Sequence, residues 1–426
     1  MDEYNRPVAL SNNEDELKQE IERLRNTASF QFGNHIVKAF ENPIRILVLP
    51  ITILFLTIRL LKNRRNYPQI RNNESRDCIL LFSSYSKRGI HFDRCEALIS
   101  DLTKNGSQLI HVTNDKVRIS SKRKNTLYFK FPSRKDTKGM DPGIWNLQCQ
   151  NFMNNLLDVY APKTFIFDGD YPFRGMLNSI QNREDMNRFW IRESALNYKT
   201  TSLPVSGFEI FDSVIHPTYG KEFESDMHVG TSGTILCDPI VHREPEKRTI
   251  ENFRDKYCKK GEVLIFFDLV TRDDIVKSVV NKLLKHENVK LVIRDCVNTE
   301  DIIHHPRTIS VDNLSYSVGL FSSDAAVIYG DFFSLHTAVH SRTPSICLLR
   351  EDERLEIFYK EFSTKNLPWI TINSETDDEL LNESINRILD DKVREQLKSR
   401  LKEFDFQYNH QPLVDIIIDH HNSSQD

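Results

Sequence analysis

A chain of 426 residues can build two or three ordinary domains, each with its own core. Its 57 Lys and Arg against 61 Asp and Glu leave a net charge of -4. That charge supplies no general attraction for nucleic acid, and no aromatic-studded basic motif of the RNA-binding kind occurs. The seven cysteines are scattered, with no Cys-x-x-Cys or Cys/His cluster, so they read as reduced cytosolic thiols and not as a metal site.

Residues 1 to 10 carry no periodic pattern and read as disordered; 12 to 26 read as a charged helix with Leu17, Ile21 and Leu24 on one stripe. Phe32, Ile36, Val37 and Phe40 then repeat at helical spacing and lead into Pro43 to Arg65. Within that run Ile46 to Ile58 is uncharged, broken by Pro50 and bracketed by Arg45, Arg59, Lys62, Arg64 and Arg65. About 13 residues make only about 20 Å of helix, and spanning hydrocarbon needs roughly 20 residues. The expectation is a kinked helical arm lying in the membrane interface, its basic flank on anionic headgroups. A single span with snorkelling arginines and a helix in the protein's own core are the alternatives. The stretch follows an acidic leader and precedes no small-residue cleavage site, which argues against a signal peptide.

A polar linker from Asn66 to Asp77 ends at Cys78 to Ser83, a continuous apolar run of the parallel-sheet kind. Helix Asp93 to Asn105 and strand Gln108 to Val112 follow. The rhythm continues through strand Thr126 to Phe131, a helix near Trp145 to Tyr160, strand Lys163 to Asp168, helix Gly175 to Gln181, and strands Arg188 to Ile191 and Ser213 to His216. After a charged connection from Pro239 to Thr249 comes a second series. It holds strands Val263 to Phe267, Val289 to Arg294, Thr308 to Val311, Ala325 to Tyr329 and Ser345 to Leu349. Helices Arg272 to His286, Ser315 to Ser323, Ser334 to Ser341, Asp377 to Leu389 and Lys392 to Phe404 alternate with or follow them. Such alternation predicts two doubly wound α/β halves facing a cleft at their strand ends. The expected divisions are 1 to 29, 30 to 66, 77 to 245, 246 to 410, and a polar tail from 411 to 426 holding His420 and His421.

Three clusters carry chemistry. The first strand runs into Gly89-Ile90-His91-Phe92-Asp93-Arg94, where a helix N-terminus, a histidine that titrates near neutrality and an arginine suit an anionic or hydroxyl-rich ligand. Strand Thr164 to Phe167 is followed by Asp168-Gly169-Asp170-Tyr171-Pro172-Phe173-Arg174-Gly175 and later Trp190-Ile191-Arg192. Those aromatics can stack on sugar faces while Asp and Arg bond hydroxyls or phosphate. The bland reading of this stretch is a Gly/Pro turn. The third cluster, Gly330-Asp331-Phe332-Phe333-Ser334-Leu335-His336-Thr337, opens a helix after a strand, an arrangement suited to a pyrophosphate, and precedes Pro344 and Arg350.

These segments resemble the bacterial GT-B glycosyltransferases related to the enzyme that adds N-acetylglucosamine to lipid I. In those enzymes the first loop commonly reads G-x-G-H-x-x-R. The second cluster is similar to F-D-G-x-Y-P-Y-R-G-L followed by V-W-V-R-R, and the third to G-Y-N-S-F-H-E followed by G-x-P-x-I-x-I-P. Gly330, Ser334, His336 and Pro344 match. The chain departs from the pattern at Thr337, where the family has a ribose-binding glutamate. It departs again at Glu351 to Arg354 in place of an acidic-Gln signature, and at Asp268-Leu269-Val270 in place of a glycine-rich loop. The arm before residue 66 also resembles the membrane-seating helix of one branch.

The resemblance implies a GT-B fold and a metal-independent glycosyltransferase without cofactor, on the cytoplasmic face of the cell membrane as a peripheral or monotopic protein. It would take a nucleotide-diphosphate sugar and a lipid-linked or polysaccharide acceptor in cell-surface glycan synthesis. His91 is the expected base with Asp168 as the alternative; Arg94, Tyr171, Arg174 and Arg192 are expected at the acceptor. Gly330, Ser334, His336, Thr337 and Arg350 are expected at the donor. A catalytically silent relative that partners an active transferase in a glycan-assembly complex is the second hypothesis. A GT-B nucleotide-sugar epimerase is the third.

Overall fold

The computed structural model describes residues 78–86, 89–104, 106–115, 125–192, 209–217, 233–268, 274–294, 305–311, 315–348, 369–373, 375–403 and 408–423. The leader, the charged helix and the membrane arm expected before residue 67 lie outside them, as does Arg350. No described helix is long and apolar enough to cross a membrane. The chain divides into two compact units, Met1–Arg76 with Arg134–Gln148, and Asp77–Ser133 with Cys149–Asp426. In the first, the Asp141 carboxylate accepts the N–H groups of Gly143 (2.7 Å) and Ile144 (3.1 Å), satisfying two free donors at a helix start. Both sheets belong to the second unit.

The first half holds β1 (Cys78–Ser83), α1 (Ile90–Leu102), β2 (Gln108–Thr113), β3 (Thr126–Lys130), α2 (Pro142–Tyr160), β4 (Thr164–Asp168), α3 (Arg174–Ile180), β5 (Asn187–Ile191), β6 (Ser213–Pro217) and β7 (Thr234–Cys237). Its strands form a parallel sheet in the order β3-β2-β1-β4-β5-β6-β7. After α4 (Lys247–Tyr257) come β8 (Val263–Phe267), α5 (Asp274–Leu283), β9 (Val289–Arg294), β10 (Thr308–Val311), α6 (Tyr316–Phe321), β11 (Ala325–Tyr329), α7 (Phe332–Ser341), β12 (Ser345–Leu348) and β13 (Ile370–Ile372). These strands make a second parallel sheet, β10-β9-β8-β11-β12-β13. The chain closes with α8 (Asp378–Leu389), α9 (Asp391–Glu403) and α10 (Gln411–Ser423).

The continuous apolar strands follow from burial on both faces. In β8, Val263, Ile265 and Phe267 pack into one cluster with α5 and α8, whereas Leu264 and Phe266 pack into another with α6 and α7. A strand covered on both sides has no polar face, so it reads without alternation. Register then places the candidate site. Ser83 pairs with both Thr113 and Asp168, so the last residues of β1, β2 and β4 stand in a row. Strand order reverses between β1 and β4, and connections leaving neighbouring strands in opposite directions open a crevice there. The second sheet has the same switch between β8 and β11.

Four elements depart from the expected pattern, the three-residue strand β13 among them. Strand β7 precedes the charged connection and helix α4 begins at its end; their signals are weak because β7 has only four residues and α4 fully buries none. The expected tail is mostly α10. Its Leu413, Val414, Ile417 and Ile418 share a core with Leu98 and Leu102 of α1, each contributing roughly 1.5–3 kcal/mol of gross apolar burial. His421 is buried, with Nδ1 at 2.9 Å from the Thr164 hydroxyl, and His410 Nε2 lies 2.7 Å from the buried Asp101.

Candidate active site

Helix α1 starts abruptly after β1 because two residues shape its entry. Gly89 has a φ of 69°, a left-handed conformation costly for side-chain-bearing residues, and the Ser86 hydroxyl accepts the Ile90 N–H at 2.7 Å. His91 therefore sits in the first turn, at the crevice end of the sheet. Across the switch point, Gly169 permits the close approach of β4 to the loop after β1. A Cβ at Gly169 would lie 2.2 Å from the Ser84 hydroxyl.

This geometry brings His91, Arg94 and Asp168 together. His91 Nδ1 is 2.8 Å from Asp168 Oδ1; Arg94 donates from Nη2 to Oδ1 at 2.6 Å and from Nε to Oδ2 at 2.7 Å. All three side chains are buried. Arg94 Nη2 also lies 3.1 Å from His91 Nδ1. A guanidinium only donates, so Nδ1 cannot accept from it while donating to a carboxylate. The short bonds to Asp168 assign the Nδ1 proton to the His91–Asp168 bond and leave the Nε2 lone pair for a ligand. Burial is the largest influence on His91 and lowers its pKa, but the hydrogen bond and charge of Asp168 outweigh it, so the net shift is upward from 6.5. Burial likewise pushes the Asp168 carboxyl up, and the Arg94 charge with the bonds from Arg94 and His91 reverses this and holds it below its ordinary value. The sequence offers His91 and Asp168 as alternative bases; the two are in direct contact. Arg94, expected to bind acceptor, is engaged with Asp168.

A second buried network lies beside it. Ser83 Oγ is 3.0 Å from His111 Nε2, and His111 Nδ1 is 2.9 Å from Glu96 Oε1. The order of contacts imitates a hydrolytic triad, yet Ser83 and His111 are fully buried and Phe92 stacks on His111 at 4.9 Å. No substrate reaches that serine, and the network ties α1 to β1 and β2.

The remaining expected acceptor residues spread along the same sheet end. Tyr171 and Arg174 are exposed, whereas Arg192 is buried over the Trp190 ring at 5.1 Å. Trp190 Nε1 donates to the Gly169 carbonyl at 2.8 Å. His216 nearby is pushed down to about 4 by burial first and by the Arg192 charge, so it is neutral at physiological pH.

At the second switch point Gly330, Ser334, His336 and Thr337 are all buried. Asp331 caps α7, its Oδ1 accepting the Ser334 N–H at 3.1 Å. A donor that would have met a phosphate oxygen already holds a carboxylate. Burial drives His336 down to about 3, so it offers no positive charge. The Thr337 hydroxyl donates back to the Phe333 carbonyl at 2.7 Å.

Sequence reasoning missed three charged residues here. Asp93 of α1 pairs with Arg294, the last residue of β9, at 2.6 Å, and both are buried. This ion pair joins the two halves. Burial raises the Asp93 pKa, but Arg294 and then His242 bring it below the ordinary value. Asp115, two residues beyond β2, is buried as well, and its Oδ1 accepts the Ser86 N–H at 3.0 Å. Its place beside a strand end, as for Asp168 at the end of β4, was the available signal.

No family model and no curated protein matches the chain. Solved structures do. A rice (O. sativa) protein, Os79, in complex with UDP superposes with a TM-score of 0.59 at 11% identity, covering 80% of this chain and 100% of that one. The fold is GT-B. The glycosyltransferase of kitacinnamycin gives a TM-score of 0.52 at 11% identity over 81% of this chain and 99% of its own. A UDP-N-acetylglucosamine 2-epimerase gives 0.51 at 10% identity over 80% and 95%. At such identities the likeness is one of fold.

Proposed function

We propose that this protein is a glycosyltransferase that moves a sugar from a nucleotide-diphosphate donor to a hydroxyl of a lipid-linked or growing polysaccharide acceptor, on the cytoplasmic face of a membrane met through residues 30–66. The observation that carries the reading is the buried His91–Asp168–Arg94 group at the switch point of a GT-B fold. His91 Nε2 takes the acceptor proton as the acceptor oxygen bonds to the anomeric carbon. The bond from that carbon to the donor diphosphate breaks, and the nucleoside diphosphate leaves with the electron pair. Asp168 holds the tautomer and offsets the imidazolium charge; with both oxygens engaged it is an orienting partner in this scheme and not the base. Tyr171, Arg174 and Arg192 are assigned to the acceptor side. Gly330, Ser334, His336, Thr337 and Arg350 are assigned to the donor side, without a resident metal.

A sugar-nucleotide panel tests this. One donor should bind and be turned over by the wild-type protein, and His91→Ala should keep that affinity while losing turnover.

The Asp331 cap and the inward bond of Thr337 favour a second reading, a silent relative that partners an active transferase. Such a protein should bind none of the panel by calorimetry. An epimerase, the third reading, would convert a sugar nucleotide in the absence of acceptor.

A further inference from the structure

Asp115 is absent from every motif of the sequence, yet it touches the frame that aims His91. Its backbone N–H donates to the Thr113 hydroxyl at 3.0 Å, and its Oδ1 accepts the Ser86 N–H at 3.0 Å. Ser86 in turn receives the Ile90 N–H on its hydroxyl and the Gly89 N–H on its carbonyl, one residue before His91. Asp115 Oδ2 is buried and makes no hydrogen bond among the described residues. Burial of an ionisable acid with a bare oxygen is costly, and asparagine could hold the Ser86 N–H as well without burying a charge. A carboxyl is therefore more than the scaffold needs.

We propose that Asp115 is a positioning residue for His91, acting through Ser86 on the first turn of α1 and through its carboxyl charge on the imidazole. The assignment deepens the transferase reading and uses its base. The charged groups facing Asp115 are His91 and Asp93 of α1 and Arg294 of β9. Burial, the dominant influence, raises its pKa from 3.8 to about 7, opposed by the Ser86 N–H and by His91. The charge of His91 is one of the influences that lower it, so an ionised Asp115 favours the protonated imidazole.

The test is the imidazole titration of His91 followed by NMR in ¹⁵N-histidine-labelled full-length protein, with the resonance assigned from His91→Gln. Asp115→Asn keeps an acceptor for Ser86 but no charge, and should lower the His91 pKa by about half a pH unit or more. Asp115→Ala and Ser86→Ala should each reduce turnover of the active sugar nucleotide about tenfold without changing its affinity. The double variant should be no worse than the poorer single one, because both act along one path. An unmoved His91 titration in Asp115→Asn overturns the electrostatic link, and additive losses in the double variant overturn the path through Ser86. If the wild-type protein turns over no sugar nucleotide, the transferase reading fails while the titration still decides the coupling. Unfolding of Asp115→Ala would be seen by circular dichroism, and Asp115→Asn with Ser86→Ala then carries the comparison.

Discussion

His91 Nδ1 and Asp168 Oδ1 stand 2.8 Å apart with both side chains buried, so one hydrogen bond joins the start of α1 to the end of β4. Strand pairing makes it: β1 and β4 are adjacent and in register, and the loops leaving them diverge at the switch point. The bond fixes which imidazole nitrogen carries the proton, and Arg94, bonded to both carboxylate oxygens, keeps Asp168 ionised.

If His91 works as a base, kcat/KM should rise with pH through an inflection above 6.5, because its folded pKa is raised and only the neutral form accepts a proton. Stability carries the matching sign. The His91–Asp168 contribution is present in full below the unfolded pKa of about 6.5 and is lost as pH rises through the higher folded value. A pH-rate profile of Asp168→Asn should show the inflection moved downward; an unmoved inflection would assign it to another group.

Removing Asp168 takes the partner from a buried arginine. Asp168→Ala should cost about 3–5 kcal/mol in urea unfolding, the usual penalty for stranding a buried charge. A loss under about 1 kcal/mol would mean that Arg94 finds solvent or another partner when the carboxylate is gone.

The Asp93–Arg294 pair holds the two halves together through side chains that are both about 5% exposed. Arg294→Met should leave Asp93 buried without its strongest partner and raise its pKa. Small-angle scattering should show a larger radius of gyration above neutral pH, with recovery as Asp93 is protonated in acid. An unchanged radius across that range would show that other contacts hold the halves.

Asp115 predicts an opposite pH trend from an ordinary surface carboxylate. Its folded pKa of about 7 lies above the unfolded value near 3.8, so wild-type stability is favoured below the lower value and falls as pH rises toward 7. The full difference is about 4 kcal/mol by linkage. Asp115→Asn should thus be more stable than wild type at pH 8, with the gain shrinking toward pH 4. A gain that does not vary with pH would place the Asp115 oxygen in contact with solvent.

Much of the fold was legible because parallel strands buried on two faces leave unbroken apolar runs, as in Cys78–Ser83 and Val263–Phe267. His91 and Asp168 stood out because each follows such a strand. Their direct partnership did not, since 77 residues separate them and only the β1–β4 register closes the distance. Asp93 and Arg294 belong to different halves and share no local pattern. The α7 cap was equally hidden. Asp331 stands in the sequence only as part of a cluster that opens a helix, and the folded helix shows its carboxylate on the Ser334 N–H. In α10 the polar and apolar residues alternate too closely for a tail and a helix to be told apart until α1 supplies the apolar face.

The most direct measurement is nucleoside-diphosphate release from a panel of sugar nucleotides, with acceptor lipid extract, by wild-type and His91→Ala proteins at pH 8. The account expects release from one donor, reduced about 10²–10⁴-fold in the variant, with donor affinity by calorimetry within about twofold. Equal release by the two proteins, or no donor bound by either, would contradict it.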